Sequence, residues 1–371
     1  VGTLFGIAMV PVFYLFAKRL SGNTPLAALA CILFSFDFMH FTQTRIATID
    51  VYITFFVLLM YYFMYRYSRL SFYDTALGKT LLPLGACGVA MSLGIACKWT
   101  GLYAGCGLAV IFFGILYRRY QEYVYAKENP SGKTEGISHR HILECFFPAL
   151  RRTILFCLVF FVAVPVTVYL LSYLPFRDYS DRGLLGRALY NQYTMFSYHS
   201  NLESPHAFSS PWYEWPLIKR PIWYYSRIVT NTAASSLREG ISAFGNPAVW
   251  WMGIPAFLYM LWLWAVKKDE KAAFLVTGYL AQYLPWFFVT RVTFIYHYFP
   301  SVPFLTLMIL HGLRRGKEKA PRAFSAVLIL YGALAVGLFL LFYPVLSGQP
   351  VEAAFVAKYL RWFESWVLTA R

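Results

Sequence analysis

The chain has 371 residues, of which 59% are hydrophobic, 20% aromatic and only 13% charged. A soluble domain carries about 25% charged residues, so this composition excludes one and indicates a membrane protein. The net charge of +16 would suit nucleic acid, but most Lys and Arg fall in short loops between apolar runs, a topological pattern, and nucleic-acid binding is set aside.

About ten apolar runs read as spans, at residues 2–17, 25–40, 47–65, 80–97, 99–117, 153–174, 249–266, 273–290, 296–313 and 322–344. The fold class expected is an all-α polytopic membrane protein. The chain opens inside the first run, at Val1-Gly-Thr-Leu-Phe, with no initiator Met and no signal peptide, so a preceding segment is expected to be missing.

The turn between the second and third runs, FDFMHFTQTRIATID, carries Asp37, His40, Arg45 and Asp50. Lys98 stands in CKWTGLY, between two spans with almost no loop. Residues 119–149 are polar with mixed charge around Pro130, Ser131 and Gly132, and read as a flexible linker. Residues 175–248 form a second long polar segment. Within it, 183–199 places Leu184, Leu185, Leu189 and Tyr193 at helical spacing, as an amphipathic helix lying on the membrane surface would. The following run, 198–225, is rich in Trp, Tyr and Pro, and also holds His199, Glu203, His206 and Glu214, which a mere interfacial belt does not need. Between the eighth and ninth runs, TRVTFIYHYFP carries Arg291 and His297.

Lys18, Arg19, Arg66, Arg69, Lys79, the basic stretch 118–152, Lys267, Lys268, Lys271 and the segment 314–322 alternate with loops carrying only Arg45, Lys98 and Arg291. The positive-inside rule puts the first set in the cytoplasm and the second outside. The seven ionisable residues Asp37, His40, Arg45, Asp50, Lys98, Arg291 and His297 then gather near one membrane face. Charge at that depth is costly and marks a functional pocket. Arg offers a bidentate fork and Lys a compact charge, a pairing suited to phosphate. The six cysteines lie in or beside apolar runs without metal-ligand spacing, and no metal or soluble-cofactor motif is present.

These pieces resemble the protein O-mannosyltransferase family of membrane-embedded GT-C glycosyltransferases. The resemblance rests on FDFMHFTQTRIATIDVYITFF (36–56), GIACKWTGLYAG (94–105), the run 198–225, RVTFIYHYFPSVPF (291–304), and FYPVLSG with YLRWFESWV (342–367). It implies a GT-C fold with a transmembrane region at 1–174, an external loop at 175–248 and a four-span region at 249–371. It implies transfer of mannose, with inversion, from a polyprenyl phosphate to Ser or Thr of a translocated protein, on the outer face of what is expected to be a bacterial plasma membrane. The partners implied are the polyprenyl-phosphate-linked donor, a secreted acceptor protein and membrane lipid, with no cofactor. Arg45, Lys98 and Arg291 would hold the donor phosphate. Asp50 would orient Arg45, and His297 would support donor contact. His199, His206, Trp212 and Trp215 would wall the sugar or acceptor groove. The family's acidic catalytic motif is not found in this chain and is expected upstream of Val1. The loop 175–248 is too short for the MIR domain of eukaryotic members. Two alternatives stay open: transfer of another sugar to lipid or envelope glycan, and a lipid or solute transporter.

Overall fold

A computed structural model of the chain describes residues 1–176, 182–201, 205–231, 236–319 and 321–370. In chain order its helices are α1 (Gly2–Ser21), α2 (Thr24–Ser35), α3 (Phe38–Gln43), α4 (Asp50–Ser68), α5 (Leu77–Cys97), α6 (Thr100–Glu128), α7 (His139–Leu158), α8 (Val164–Leu171), α9 (Leu184–Ser200), α10 (Pro247–Lys267), α11 (Glu270–Tyr283), α12 (Val302–Lys319) and α13 (Pro321–Ser347). The strands are β1 (Lys133–Thr134), β2 (Ile137–Ser138), β3 (Ile222–Asn231), β4 (Ser236–Ala243) and β5 (Val351–Glu352). Two compact units form: one from Val1–Phe55 with Tyr198–Arg371, the other from Phe56–Ser197.

Among the described residues, six helices are long and apolar enough to cross a membrane: Gly2–Ser21, Leu77–Cys97, Thr100–Glu128, His139–Leu171, Pro247–Lys267 and Phe324–Ser347. The other expected spans are altered for local reasons. The run 25–40 breaks after Ser35, because the Asp37 carboxylate caps a new helix by accepting from the Met39 and His40 N–H groups at 3.1 and 3.3 Å. Tyr52, Tyr61, Tyr62, Tyr65 and Tyr67 dilute the apolar character of α4. The run 273–290 ends as α11 at Tyr283, and a 3₁₀ turn, Leu284–Phe288, follows around Pro285. The next run likewise begins as a 3₁₀ segment, Ile295–Ser301, before α12. Irregular backbone of this kind lines cavities in membrane proteins, since lipid cannot satisfy its polar groups.

In the first unit, α1 and α2 pack on α12, and α10 packs on α11, α12 and α13. Asn246 ties this bundle together. Its N–H donates to Asp37 at 3.0 Å, and its side-chain amide donates to the Phe36 and Ala335 carbonyls at 3.0 and 2.9 Å. Its Oδ1 caps α10 through Ala248 N–H. The segment 175–248 holds structure beyond the expected helix: β3 and β4 pair as an antiparallel hairpin, and β4 also pairs with β5. The many β-branched and aromatic residues along Ile222–Asn231 favour a strand.

In the second unit, the expected linker at 119–149 is instead ordered. Helix α6 runs on to Glu128, β1 and β2 form a tight hairpin, and α7 follows at once. Tyr123 stacks on Phe146 at 4.7 Å, and Arg119 pairs with Glu122 at 2.9 Å, so aromatic packing replaces polar solvation. Helices α7 and α8 are continuous through a π turn, Val159–Ala163, which precedes Pro165 and absorbs its missing N–H.

Candidate functional site

Arg45 sits in the short turn between α3 and α4, exposed to its surroundings. Its guanidinium lies over the Phe41 ring, 4.7 Å from the centroid. That ring is the contact its guanidinium makes, a cation–π pairing. The turn is held from behind by α1. Thr3 donates to the Thr44 carbonyl at 3.2 Å, and a Cβ on Gly6 would stand 2.5 Å from the Thr44 side chain. Only glycine allows α1 to approach this closely.

Asp50 is buried at the start of α4. Electrostatic coupling links its carboxylate to the phenols of Tyr224 on β3 and Tyr296 in the 3₁₀ segment, and Tyr296 is in turn coupled to Arg291. Tyr224 accepts from the Gln43 amide at 2.8 Å, and Gln43 accepts from the Thr48 hydroxyl at 2.7 Å. Burial pushes the Tyr224 phenol well above its ordinary range, against the opposing effect of the Gln43 hydrogen bond, so it stays protonated. The sequence reading missed Gln43, Tyr224 and Tyr296. The polar run Thr42-Gln43-Thr44 at the end of an apolar stretch was the available signal.

Arg291 lies in the extended stretch between the two 3₁₀ segments and donates to the Val292 carbonyl at 3.2 Å. The expected aromatic segment docks on the same stretch. Ser210 N–H donates to the Thr293 carbonyl, and Thr293 Oγ1 donates to the Ser210 carbonyl, both at 2.9 Å. Two expected site residues turn out to be core. Trp215 has no exposed surface and donates its indole N–H to the Ser210 carbonyl and hydroxyl at 3.1 Å, so it cannot touch a sugar. His297 is buried with its ring 4.3 Å from that of Trp286, and its Nδ1 accepts from Phe294 N–H at 3.1 Å. It braces the break between the two 3₁₀ segments.

Trp212 is half-buried against Tyr283 and Phe287, and Tyr283 donates to its carbonyl at 3.0 Å. His206 is exposed, with its ring edge-on to Phe294 at 4.9 Å. His199 lies in the last turn of α9, edge-on to Tyr198. Glu203 lies outside the described residues.

Lys98 belongs to the second unit. It holds the extended residue between α5 and α6, with its N–H bonded to the Gly94 carbonyl and its carbonyl to Gly101 N–H. A Cβ on Gly101 would stand 2.8 Å from Ile95 N, so this sharp turn needs the glycine. The neighbouring Trp99 donates to the Tyr169 hydroxyl at 3.3 Å, and Gln192 of α9 donates to Tyr173 at 2.8 Å. Along α9, Leu185, Leu189, Tyr193 and Phe196 are 59%, 60%, 71% and 67% exposed, an apolar stripe left uncovered on the helix.

Comparison with known proteins now adds to this geometry. Residues 2–179 match a family model described as dolichyl-phosphate-mannose-protein mannosyltransferase. Residues 185–366 match another, the C-terminal four-span region of protein O-mannosyltransferase. The polyprenol-phosphate-mannose–protein mannosyltransferase of Mycolicibacterium smegmatis is 25% identical over 98% of this chain and 76% of its own length. That of Mycobacterium tuberculosis is 26% identical over 95% of this chain and 73% of its own. In fold, the chain resembles the Saccharomyces cerevisiae Pmt1-Pmt2 protein O-mannosyltransferase complex bound to the sugar donor, with a TM-score of 0.78 at 13% identity over 98% of this chain and 79% of the other. It also resembles ArnT from Cupriavidus metallidurans bound to undecaprenyl phosphate, with a TM-score of 0.51 at 14% identity, over 92% of this chain and 55% of the other.

Proposed function

This chain belongs to the protein O-mannosyltransferase family, and from that premise we propose how its own residues serve the reaction. The enzyme transfers mannose from a polyprenyl-phosphate-mannose donor to protein. On our reading the acceptor is a Ser or Thr hydroxyl of a protein emerging on the outer face of a bacterial plasma membrane. The donor's apolar tail keeps the reaction at the membrane. The acceptor oxygen attacks the anomeric carbon as its hydroxyl proton passes to a base, and the bond from that carbon to the phosphate oxygen breaks. Negative charge collects on the departing phosphate.

Arg45 and Arg291 meet that charge, and the motif around Lys98 gives it the same role. The observation carrying this assignment is Arg45 itself: an exposed guanidinium with no carboxylate partner among the described residues, on a turn braced by buried contacts. A cation held this way is preorganised for an anion that develops only as the bond breaks. Arg291 sits where two 3₁₀ segments leave the backbone irregular, and Lys98 on a turn too tight for a side chain at Gly101. Trp212, His206 and His199 supply the sugar or acceptor wall.

The test is mannosyl transfer to a Ser/Thr peptide by the reconstituted enzyme. Each of Arg45→Ala, Arg291→Ala and Lys98→Ala is expected to lower kcat/KM by about 100-fold or more, the usual scale for removing one charge-stabilising group. Arg45→Lys should keep part of the activity, because charge survives while the bidentate fork is lost. Wild-type rates in the alanine variants would sink the phosphate assignment. Offering the enzyme polyprenyl phosphates carrying other sugars tests the choice of mannose.

A further inference from the structure

Arg45 carries its charge on an exposed side chain, so its position depends on the turn beneath it. Backbone bonds close part of that turn: Arg45 and Ile46 N–H groups reach the Thr42 carbonyl at 3.1 and 3.3 Å, and Thr48 N–H reaches Ile46 at 2.9 Å. The remaining closure is made by side chains. Gln43, two residues before Arg45, has no exposed surface. Its amide is used at both ends, by Thr48 three residues after Arg45 at 2.7 Å and by Tyr224 at 2.8 Å. Thr and Tyr hydroxyls each donate or accept, so the bridge persists whichever way the amide is turned. Tyr224 stands on β3, 181 residues further along the chain, and the hairpin register fixes that strand.

Packing alone does not call for this arrangement. A buried amide between two hydroxyls is costly wherever one of the three is lost, and an apolar residue would fill position 43 without that liability. The polar relay ties the Arg45 turn to a rigid sheet far away in sequence. We infer that Tyr224 is a positioning residue acting through Gln43 and Thr48, which holds the Arg45 turn in register for the phosphodiester of the lipid-linked donor. The inference rests on the reading of Arg45 as a phosphate contact. Its consequence is selective: Tyr224 governs donor affinity and leaves acceptor affinity alone.

The experiment uses the full-length protein, with any sequence that precedes Val1, in phospholipid nanodiscs, with polyprenyl-phosphate-mannose and a Ser/Thr peptide varied in turn. Tyr224→Phe keeps the ring and removes the hydroxyl. It is expected to raise the donor KM about tenfold, the scale of one lost hydrogen bond, with the peptide KM changed less than twofold. Gln43→Leu should give the same split, and the double variant should be no worse than Gln43→Leu alone, because the residues act in series. Binding of undecaprenyl phosphate, followed by tryptophan fluorescence, should weaken in parallel and gives a readout independent of turnover. Equal rises in both KM values, a lowered melting temperature with unchanged KM values, or additive effects would overturn the inference. Arg45→Ala run alongside separates the two readings. If it keeps the wild-type donor KM and undecaprenyl phosphate affinity, the phosphate assignment fails. If it loses both while Tyr224→Phe loses neither, the relay alone fails.

Discussion

Asp269 shows how a single carboxylate can be both structural and titratable. It caps α11 by accepting from the Lys271 and Ala272 N–H groups, and it pairs with Arg315 and with His311, the latter at 3.1 Å. Burial would raise its pKa, but the Arg315 hydrogen bond, the cap and His311 outweigh that and hold the carboxyl well below the usual range. A carboxyl depressed in the folded state stabilises above its unfolded value, about 3.9, and that stability fades as pH falls through the folded value. Asp269→Asn should therefore cost about 2 kcal/mol, discounted because Arg315 is partly exposed, across pH 5 to 8. Thermal unfolding in detergent checks this, and the gap between variant and wild type should close only in strong acid. Trp215 and His297 carry a different lesson at the same scale. Their residue types fit a ligand groove, yet each is buried, with the Trp215 N–H taken up by Ser210 and the His297 Nδ1 by Phe294. Composition shows that a Trp or His is present; which way it faces depends on contacts from 80 residues away.

Among the elements, α1 earns its place through one glycine. A side chain at Gly6 would collide with Thr44 and displace the turn that presents Arg45. Gly6→Val should destabilise by about 1–3 kcal/mol, the range for overpacking, and lower transfer activity further than that loss explains. Comparing activity per folded enzyme with the melting temperature separates the effects, and Gly22→Ala, where nothing lies within 4 Å but φ is +66°, serves as a control for strain alone. The helices were largely legible in the sequence, because long apolar runs with basic flanks have one physical reading. The breaks at Asp37, Pro285 and Pro300 were legible only as polar or proline residues near span ends, since a cap or a 3₁₀ turn depends on geometry. The β3–β4 hairpin was hidden: its Trp and Tyr also fit an interfacial belt, and the cross-strand pair Arg227–Glu239 at 2.9 Å exists only once the register is known. The ordered segment 119–149 was missed because its charges read as solvated, while Tyr123 and Phe146 stack beneath them. The helix α9 and its exposed Leu185, Leu189 and Tyr193 match the reading of the sequence, while Leu184 is half-buried; if the stripe rests on the membrane, Tyr193→Asp should loosen it, and limited proteolysis of the loop in nanodiscs would reveal this by faster cleavage.

For the molecule as a whole, residues 366–370 lock the 205–245 segment of the first unit. Trp366 is buried, donates to the Ile218 carbonyl at 2.7 Å, and packs on Phe244 and Phe342. The tail continues along the hairpin, where Ser242 donates to the Leu368 carbonyl and Ala370 N–H to Ser226. Trp366→Ala should cost about 3–5 kcal/mol by cavity formation. Hydrogen exchange should then show β3, β4 and the 205–220 loop loosening together, whereas exchange in the second unit should not change.

Asn246 and Asp37 also set a schedule. They are 209 residues apart, and the Asp37 carboxylate receives Asn246 N–H only after the entire second unit has been made. At about 5–20 residues per second, synthesis leaves that carboxylate waiting roughly 10–40 s beside an apolar helix. During that interval α1, α2 and α3 lack the bundle that buries them, so these helices need shelter from the insertion machinery until Asn246 and the helices after it arrive.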